Sequence, residues 1–415
     1  MIKSETKCIF CKKTSRQTRK MVIVEDIAIC DNCIILFNGL IKPSAVPSLP
    51  PKTSKKTPLT QLNSLKIKEF LDQYVIGQEA AKMALCVSVV NHYKRMLYSK
   101  EAGVEINKSN LLITGPSGSG KSLLISTVAK FLNVPFISVD ATTLTEAGYI
   151  GQNVDTIISR LVIEANGDIT AAEGGIVFID EIDKIANGKT RGTLDGKING
   201  IQSALLKMIE GAIIPLPTNP DSKKHPSSKN FEVNTQNVLF IVGGAFVGLD
   251  EIVSTRLKKK TPLGFSEKPQ TNPDIASEYR TEDFIEYGMI PEFIGRFPLK
   301  THTTELTEQE LIEVLTKSKQ NILDEYKFYF DIDDIELHFT PDFIEQVAHT
   351  AKTEKTGVRG LRTICDNVLM PHLYLIPEYQ KRQVAKITFN HSCINQKQIP
   401  KIEIYEKVKK LVKAS

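Results

Sequence analysis

The chain has 415 residues, 41% hydrophobic and 24% charged, with a formal net charge of +5. That is enough for two or three domains around at least one large core, and too little charge to argue for a dedicated nucleic-acid or membrane binder. No apolar run has the length of a membrane span and the N-terminus carries no signal-peptide core, so the cytoplasm is the expected compartment.

Seven cysteines in so long a chain are not a disulfide framework, but four of them cluster. Cys8-Ile9-Phe10-Cys11 and Cys30-Asp31-Asn32-Cys33 are two C-x2-C knuckles at zinc-ribbon spacing. Each offers two thiolates, and four sulfurs close a tetrahedral shell with no open position, which makes the expected Zn2+ structural. A segment of about 40 residues builds little core alone, so the metal would supply folding free energy. Residues 1–41 therefore read as a zinc-binding module, whose partner class, nucleic acid or protein, stays open. Residues 42–60 are rich in Pro, Ser, Lys and Thr and read as a flexible linker.

Residues 61–303 read as a nucleotide-binding domain. A helix is expected to end near Tyr74 and the next to start at Gly77-Gln78-Glu79. The apolar run Leu111-Leu112-Ile113 reads as a buried strand. It leads into Gly115-Pro116-Ser117-Gly118-Ser119-Gly120-Lys121-Ser122 and then, from Leu123, into a helical run. Strand, glycine loop, helix is the context a P-loop requires. Glycines let backbone N–H groups curl around phosphates, and the helix start adds partial positive charge. Lys121 is placed to reach the β- and γ-phosphates of ATP, and Ser122 to hold Mg2+.

Further along, residues 134–140 form a second expected strand. Gly148-Tyr149-Ile150-Gly151 sets an aromatic and an aliphatic side chain between glycines, either as a grip on a partner or as ordinary packing. The apolar strand from Gly175 ends in Asp180-Glu181, suited to Mg2+ through Asp180 and to polarising a water through Glu181. Another buried strand runs from Val238 to Gly243-Gly244. Many such ATPases carry a polar sensor at this tip, and the glycine pair names none. Arg296, in Ile294-Gly295-Arg296-Phe297-Pro298, is either a presented arginine finger or a surface ion-pair partner. Alternating strands and helices around a P-loop imply an α/β fold with a parallel sheet and nucleotide at its carboxyl edge.

Residues 304–415 read as a small α+β domain. One helix is expected from Thr307 with Leu311, Leu315, Ile322 and Tyr326 on one face, and others follow Thr340-Pro341 and Gly357. Arg359, near a helix start, either reaches the nucleotide or pairs with a surface acid.

With these residues in hand, the chain resembles the ClpX family, the AAA+ protein-unfolding subunits of the Clp protease. The marks are the four-cysteine module, Asp72-Gln73-Tyr74-Val75-Ile76-Gly77-Gln78, the loop 115–122, residues 141–151, 179–184, 290–297 and 357–362. The resemblance implies an AAA+ large domain and small domain in a homohexamer with ATP sites between subunits. Val75 and Ile76 would line the adenine pocket, Arg296 would act on the neighbouring subunit's nucleotide, and Arg359 would be the sensor of the small domain. Tyr149 and Ile150 would line an axial pore and grip tagged protein substrates delivered with adaptors. Leu263-Gly264-Phe265 matches the family's tripeptide for docking a ClpP-type peptidase, and Lys223-Lys224-His225 its pore-entrance Arg-Lys-His, with Lys for Arg. In residues 193–200 the family's Arg and Glu are replaced by Leu194 and Asn199, which removes charge from a second pore loop. The alternatives are a remodeller without a peptidase, and a zinc-ribbon, nucleic-acid-acting P-loop ATPase. The low net charge and the Gly-Tyr-Ile-Gly loop argue against the second, so neither nucleic acid nor membrane is an expected partner.

Overall fold

Three apolar runs of the chain become buried parallel strands, and the glycine loop follows the first. The computed structural model describes residues 8–10, 13–14, 21–24, 27–30, 33, 62–103, 106–145, 152–186, 195–216, 232–259, 275–395 and 398–405. The chain divides into two compact units, Met1–Lys56 and Thr57–Ser415. In the first, Met21–Val24 (β1) and Ile27–Cys30 (β2) pair antiparallel, with Met21 opposite Cys30.

The second unit opens with helices Ser64–Asp72 (α1) and Glu79–Ala102 (α2). Lys82, almost fully buried, donates to Asp72 at 2.6 Å, while Lys68 bridges Asp72 at 3.1 Å and Glu79 at 2.8 Å. This network clamps the two helices on either side of the turn that carries Val75 and Ile76.

The central sheet contains Leu111–Thr114 (β3), Phe136–Asp140 (β4), Ile176–Asp180 (β5), Leu239–Gly244 (β6) and Leu299–His302 (β7), all parallel, in the order β7-β3-β6-β5-β4. Side chains alternate between its faces, as the two-residue period of a strand demands. Leu112, Val177, Ile179, Phe240 and Val242 enter one core, and Leu111, Ile113, Ile176, Phe178, Leu239 and Ile241 the other. Burial on both faces is why the inner strands read as continuous apolar runs. β7 has no such signature in the sequence. It is a half-buried edge strand, Leu-Lys-Thr-His, so alternation and hydrophobicity are both weak.

After β3 the chain turns through the glycine loop into Lys121–Leu132 (α3). The helix Asp195–Glu210 (α4) lies between β5 and β6 in the chain. Beyond β7, a separate core gathers residues from Leu306 to Cys393. Its sheet is Glu336–Phe339 (β8), Val384–Phe389 (β9) and Lys401–Ile404 (β10), with β8 and β9 parallel and β9 and β10 antiparallel. The single helix expected from Thr307 through Tyr326 is two: Glu308–Thr316 (α5) and Ile322–Asp331 (α6). The break has a physical cause. Asn321 caps α6 by accepting from Asp324 N, and the residues before it bond outward, Ser318 Oγ to Tyr74 O at 2.8 Å and Lys319 N to Gln73 O at 2.8 Å. The last long helix, Gly357–Tyr374 (α7), carries Arg359 in its first turn. Among the described residues no helix is long and apolar enough to cross a membrane.

Candidate nucleotide-binding site and metal centre

In the first unit Cys8, Cys30 and Cys33 are buried, and their sulfurs all lie within 4.8 Å of one another. Cys8 Sγ and Cys33 Sγ are 3.8 Å apart, and Cys30 N–H points at Cys8 Sγ at 3.4 Å. A tetrahedron of Zn–S bonds of about 2.3 Å has edges of about 3.8 Å, so the thiols are spaced for one Zn2+. The N–H contact also supports a thiolate there. Cys11, the fourth expected ligand, lies outside the described residues.

In the second unit the carboxyl edge of the central sheet faces α6 and α7 across a cleft of about 620 Å3. That size suits a nucleotide. Its floor is the glycine loop. Gly115 (φ 139°), Gly118 (φ 78°) and Gly120 (φ 95°) adopt backbone that other residues avoid, and a Cβ on Gly115 would collide with Thr303. Ser119 Oγ packs on Thr303 Oγ1 at 2.6 Å, tying the loop to the segment after β7. Lys121 Nζ donates to Gly115 O at 2.6 Å and Pro116 O at 2.9 Å. Burial lowers its pKa, and the carboxylates of Asp180 and Asp183 oppose that fall.

Ser122 Oγ donates to Asp180 Oδ2 at 2.9 Å, which joins two oxygens 58 residues apart in sequence. A hydroxyl and a carboxylate so placed fit a Mg2+ ion, which takes hard oxygen ligands. Asp180 Oδ1 accepts from Glu181 N at 2.9 Å. Glu181 itself sits at φ 55°, a backbone conformation that costs a non-glycine residue of order 1 kcal/mol, and it lines the cleft. From α7, Arg359 Nη1 donates to Ser117 Oγ at 3.0 Å, across 242 residues.

Val75, Ile76, Ser117, Gly118, Ser119, Gly120, Lys121, Ser122, Leu123, Asp180, Glu181 and Arg359 thus converge on one cleft. Gly115 and Pro116 support the loop from behind. Arg296 is elsewhere: its guanidinium pairs with Glu210 at the end of α4, and its carbonyl accepts from Asn110 Nδ2 at 3.2 Å. The glycine pair at the tip of β6 has no room for a side chain. A Cβ on Gly243 would lie 2.7 Å from the Phe178 ring, and one on Gly244 2.6 Å from Asp183 Oδ1.

Several lining residues escaped the sequence reading: Asp183, Val247, Leu306, Ser318, Asn321 and Val358. Only Asp183, three residues after Asp180, carried a signal in the sequence. The rest come from segments that meet the loop only in the folded chain. Tyr149, Ile150, Leu194, Lys223, Lys224, His225, Leu263, Gly264 and Phe265 lie outside the described residues. Asn199 falls within α4, with its side chain outside them.

Comparison with known proteins finds an AAA domain and a zinc finger in this chain. Residues 106–300 match the model of the AAA domain (Cdc48 subfamily), and residues 6–43 match that of the ClpX C4-type zinc finger. The chain is 41% identical over 411 residues to a protein of Treponema denticola, covering 96% of each chain, named the ATP-dependent Clp protease ATP-binding subunit ClpX. It is 39% identical over 388 residues to the protein of that name from Borrelia duttonii, covering 92% of this chain and 89% of the relative.

Proposed function

The chain belongs to the ClpX family of AAA+ ATPases, and from that premise we propose that it is an ATP-driven unfoldase that threads tagged proteins into a ClpP-type peptidase. The observation that carries the reading is the convergence of Lys121, Ser122, Asp180, Glu181 and Arg359 on one cleft. ATP, Mg2+ and Zn2+ are its cofactors.

The glycine-loop amides and Lys121 hold the phosphates, Lys121 exchanging the carbonyls of Gly115 and Pro116 for phosphate oxygens. Ser122 and Asp180 would hold Mg2+, which would supply positive charge against the phosphates. Glu181 orients the attacking water, and Val75 and Ile76 flank the adenine. Arg359 reaches the nucleotide from α7. Arg296, tied to Glu210 away from its own cleft, serves the cleft of a neighbour in a homohexamer. The turn between α1 and α2 transmits the chemistry. Gln73 and Tyr74 bond to the 318–319 break, and Gln78 exchanges two hydrogen bonds with Thr304, at 2.8 and 2.9 Å. A shift of the nucleotide therefore moves the part beyond β7 against the central sheet. Tyr149 and Ile150 convert that motion into a pull on substrate in the axial pore, and Leu263-Gly264-Phe265 docks the peptidase. The four-cysteine module recruits substrates and adaptors, and the machine works in the cytoplasm.

The test is degradation of a folded, tagged fluorescent protein by the full chain with a ClpP peptidase and ATP, beside Phe265→Ala. Loss of fluorescence that needs both ATP and Phe265 is the expected result. ATP turnover with no loss of fluorescence overturns the coupling to a peptidase.

A further inference from the structure

Beside the two acids of the cleft stands a third. Asp183 lies in the 3-10 turn Ile182–Ile185 that follows β5 and Glu181. It lines the cleft, yet its side chain is only 1% exposed. Oδ1 accepts from Ala245 N, just past the tip of β6, at 3.1 Å. Oδ2 is fully buried, and among the described residues no donor reaches it in hydrogen-bond geometry. The Lys184 ammonium, on a half-exposed side chain, stands 3.4 Å away. A buried carboxylate oxygen without a hydrogen bond is destabilising, and the charge of Lys184 offsets only part of that cost. An oxygen kept that way at a nucleotide cleft points to a role in the loaded site.

The surroundings are shaped to hold this carboxylate. Gly244 has no space for a Cβ, because Asp183 Oδ1 and the Phe246 ring occupy it. Phe246 is buried at φ 48°, an outlying conformation for a bulky residue, with its ring edge-on to Phe284.

We propose that Asp183 is a positioning residue for ATP hydrolysis. Oδ1 anchors the tip of β6 through Ala245, and Oδ2 accepts a hydrogen bond from a water that fixes where the water addressed by Glu181 stands. A side chain from β5 thereby supplies the polar group that Gly243 and Gly244 do not place at the strand tip. The inference rests on the roles proposed above for Asp180 and Glu181.

The decisive variant is Asp183→Asn, assayed in the full chain. It preserves shape and the oxygen facing Ala245, and puts a donor where Oδ2 accepts. The expected result is a kcat for ATP at least about tenfold lower, with KM and the affinity for a fluorescent ADP analogue within about threefold of wild type. Amide exchange at Ala245 stays unchanged. Gly244→Ala approaches the same contact from the other side, since its methyl displaces Oδ1. There Ala245 exchange speeds up and kcat falls while nucleotide binding persists. A kcat within about twofold of wild type in Asp183→Asn overturns the proposal. If that variant does not fold, faster Ala245 exchange in Gly244→Ala with unchanged kcat overturns it equally. Glu181→Gln run in parallel separates the two layers: turnover in that variant sinks the site reading itself, whereas its loss beside an active Asp183→Asn sinks only this inference.

Discussion

Two lysines of the second unit, Lys121 buried and Lys108 half-buried, have the same chemistry and opposite surroundings. Lys121, at the start of α3, stands in an open cleft, and the carboxylates of Asp180 and Asp183 oppose the pKa fall that burial imposes. Lys108, just before β3, donates to Ile209 O at 2.8 Å and Thr235 O at 2.9 Å and lies over the Phe240 ring. Burial, reinforced by the nearby Arg95 guanidinium, pushes its pKa down to about 7. Burial alone therefore does not mark a functional cation. Both ammonium groups bond two carbonyls, and what distinguishes Lys121 is an open cleft and acids that oppose the fall in its pKa, whereas Lys108 bonds Ile209 O at the end of α4 and Thr235 O, with Arg95 lowering its pKa further.

The contrast breaks most visibly at Lys121. Lys121→Met is expected to lower ATP turnover by at least about 100-fold, measured by phosphate release, while leaving the thermal midpoint near that of wild type, because Gly115 and Pro116 are only partly buried and their freed carbonyls can turn to water in the cleft. If turnover survives, the cleft is not the catalytic site. The next effect is at Arg359, the cation that enters the cleft from α7. Arg359→Ala loses its bond to Ser117 and is expected to weaken nucleotide affinity about tenfold, read by titration with a fluorescent nucleotide; unchanged affinity would return Arg359 to a purely structural role.

Lys108→Met should do the reverse of Lys121→Met. Turnover stays within about twofold of wild type, while stability drops by about 1–3 kcal/mol because two buried carbonyls lose their donor. A denaturant titration beside the turnover assay checks both halves. The smallest and most specific expectation is a slope. The folded pKa of Lys108 lies below its ordinary value of 10.5, so between about pH 7 and 10.5 the unfolded chain holds a proton that the folded chain has shed. Its contribution to stability accordingly rises with pH across that window, by at most about 1.4 kcal/mol per unit, and is flat below it. Subtracting the stability of Lys108→Met from that of wild type between pH 7 and 9 isolates this slope, and a flat difference would show that Lys108 stays charged.

Legibility followed the same division. The glycine loop, the Asp180-Glu181 strand end and the inner strands were readable because each is contiguous. Their function depends on local backbone geometry that glycine, β-branched residues and terminal acids encode directly. β7 was not readable because an edge strand need not be apolar. The break between α5 and α6 was hidden because a helical period runs through it, and the residues that interrupt it, Ser318 and Lys319, act only by bonding to Tyr74 and Gln73, more than 240 residues earlier. Arg296 and Arg359 were left with two readings each. Folding separated them, putting Arg359 in the cleft and Arg296 on Glu210.

The amino-acid sequence by itself pointed to a nucleoside triphosphate on a P-loop and to a cysteine-bound Zn2+, since both follow from residue types at short, set spacings. Only the tertiary structure decided which distant residues complete the nucleotide site. Ser122 meets Asp180 and Asp183 meets Ala245 because parallel strands brought into register place their carboxyl ends side by side, and Arg359 meets Ser117 because α7 packs over the glycine loop. That register is set by burial of both sheet faces, a property of the whole packed chain and of no single stretch of it.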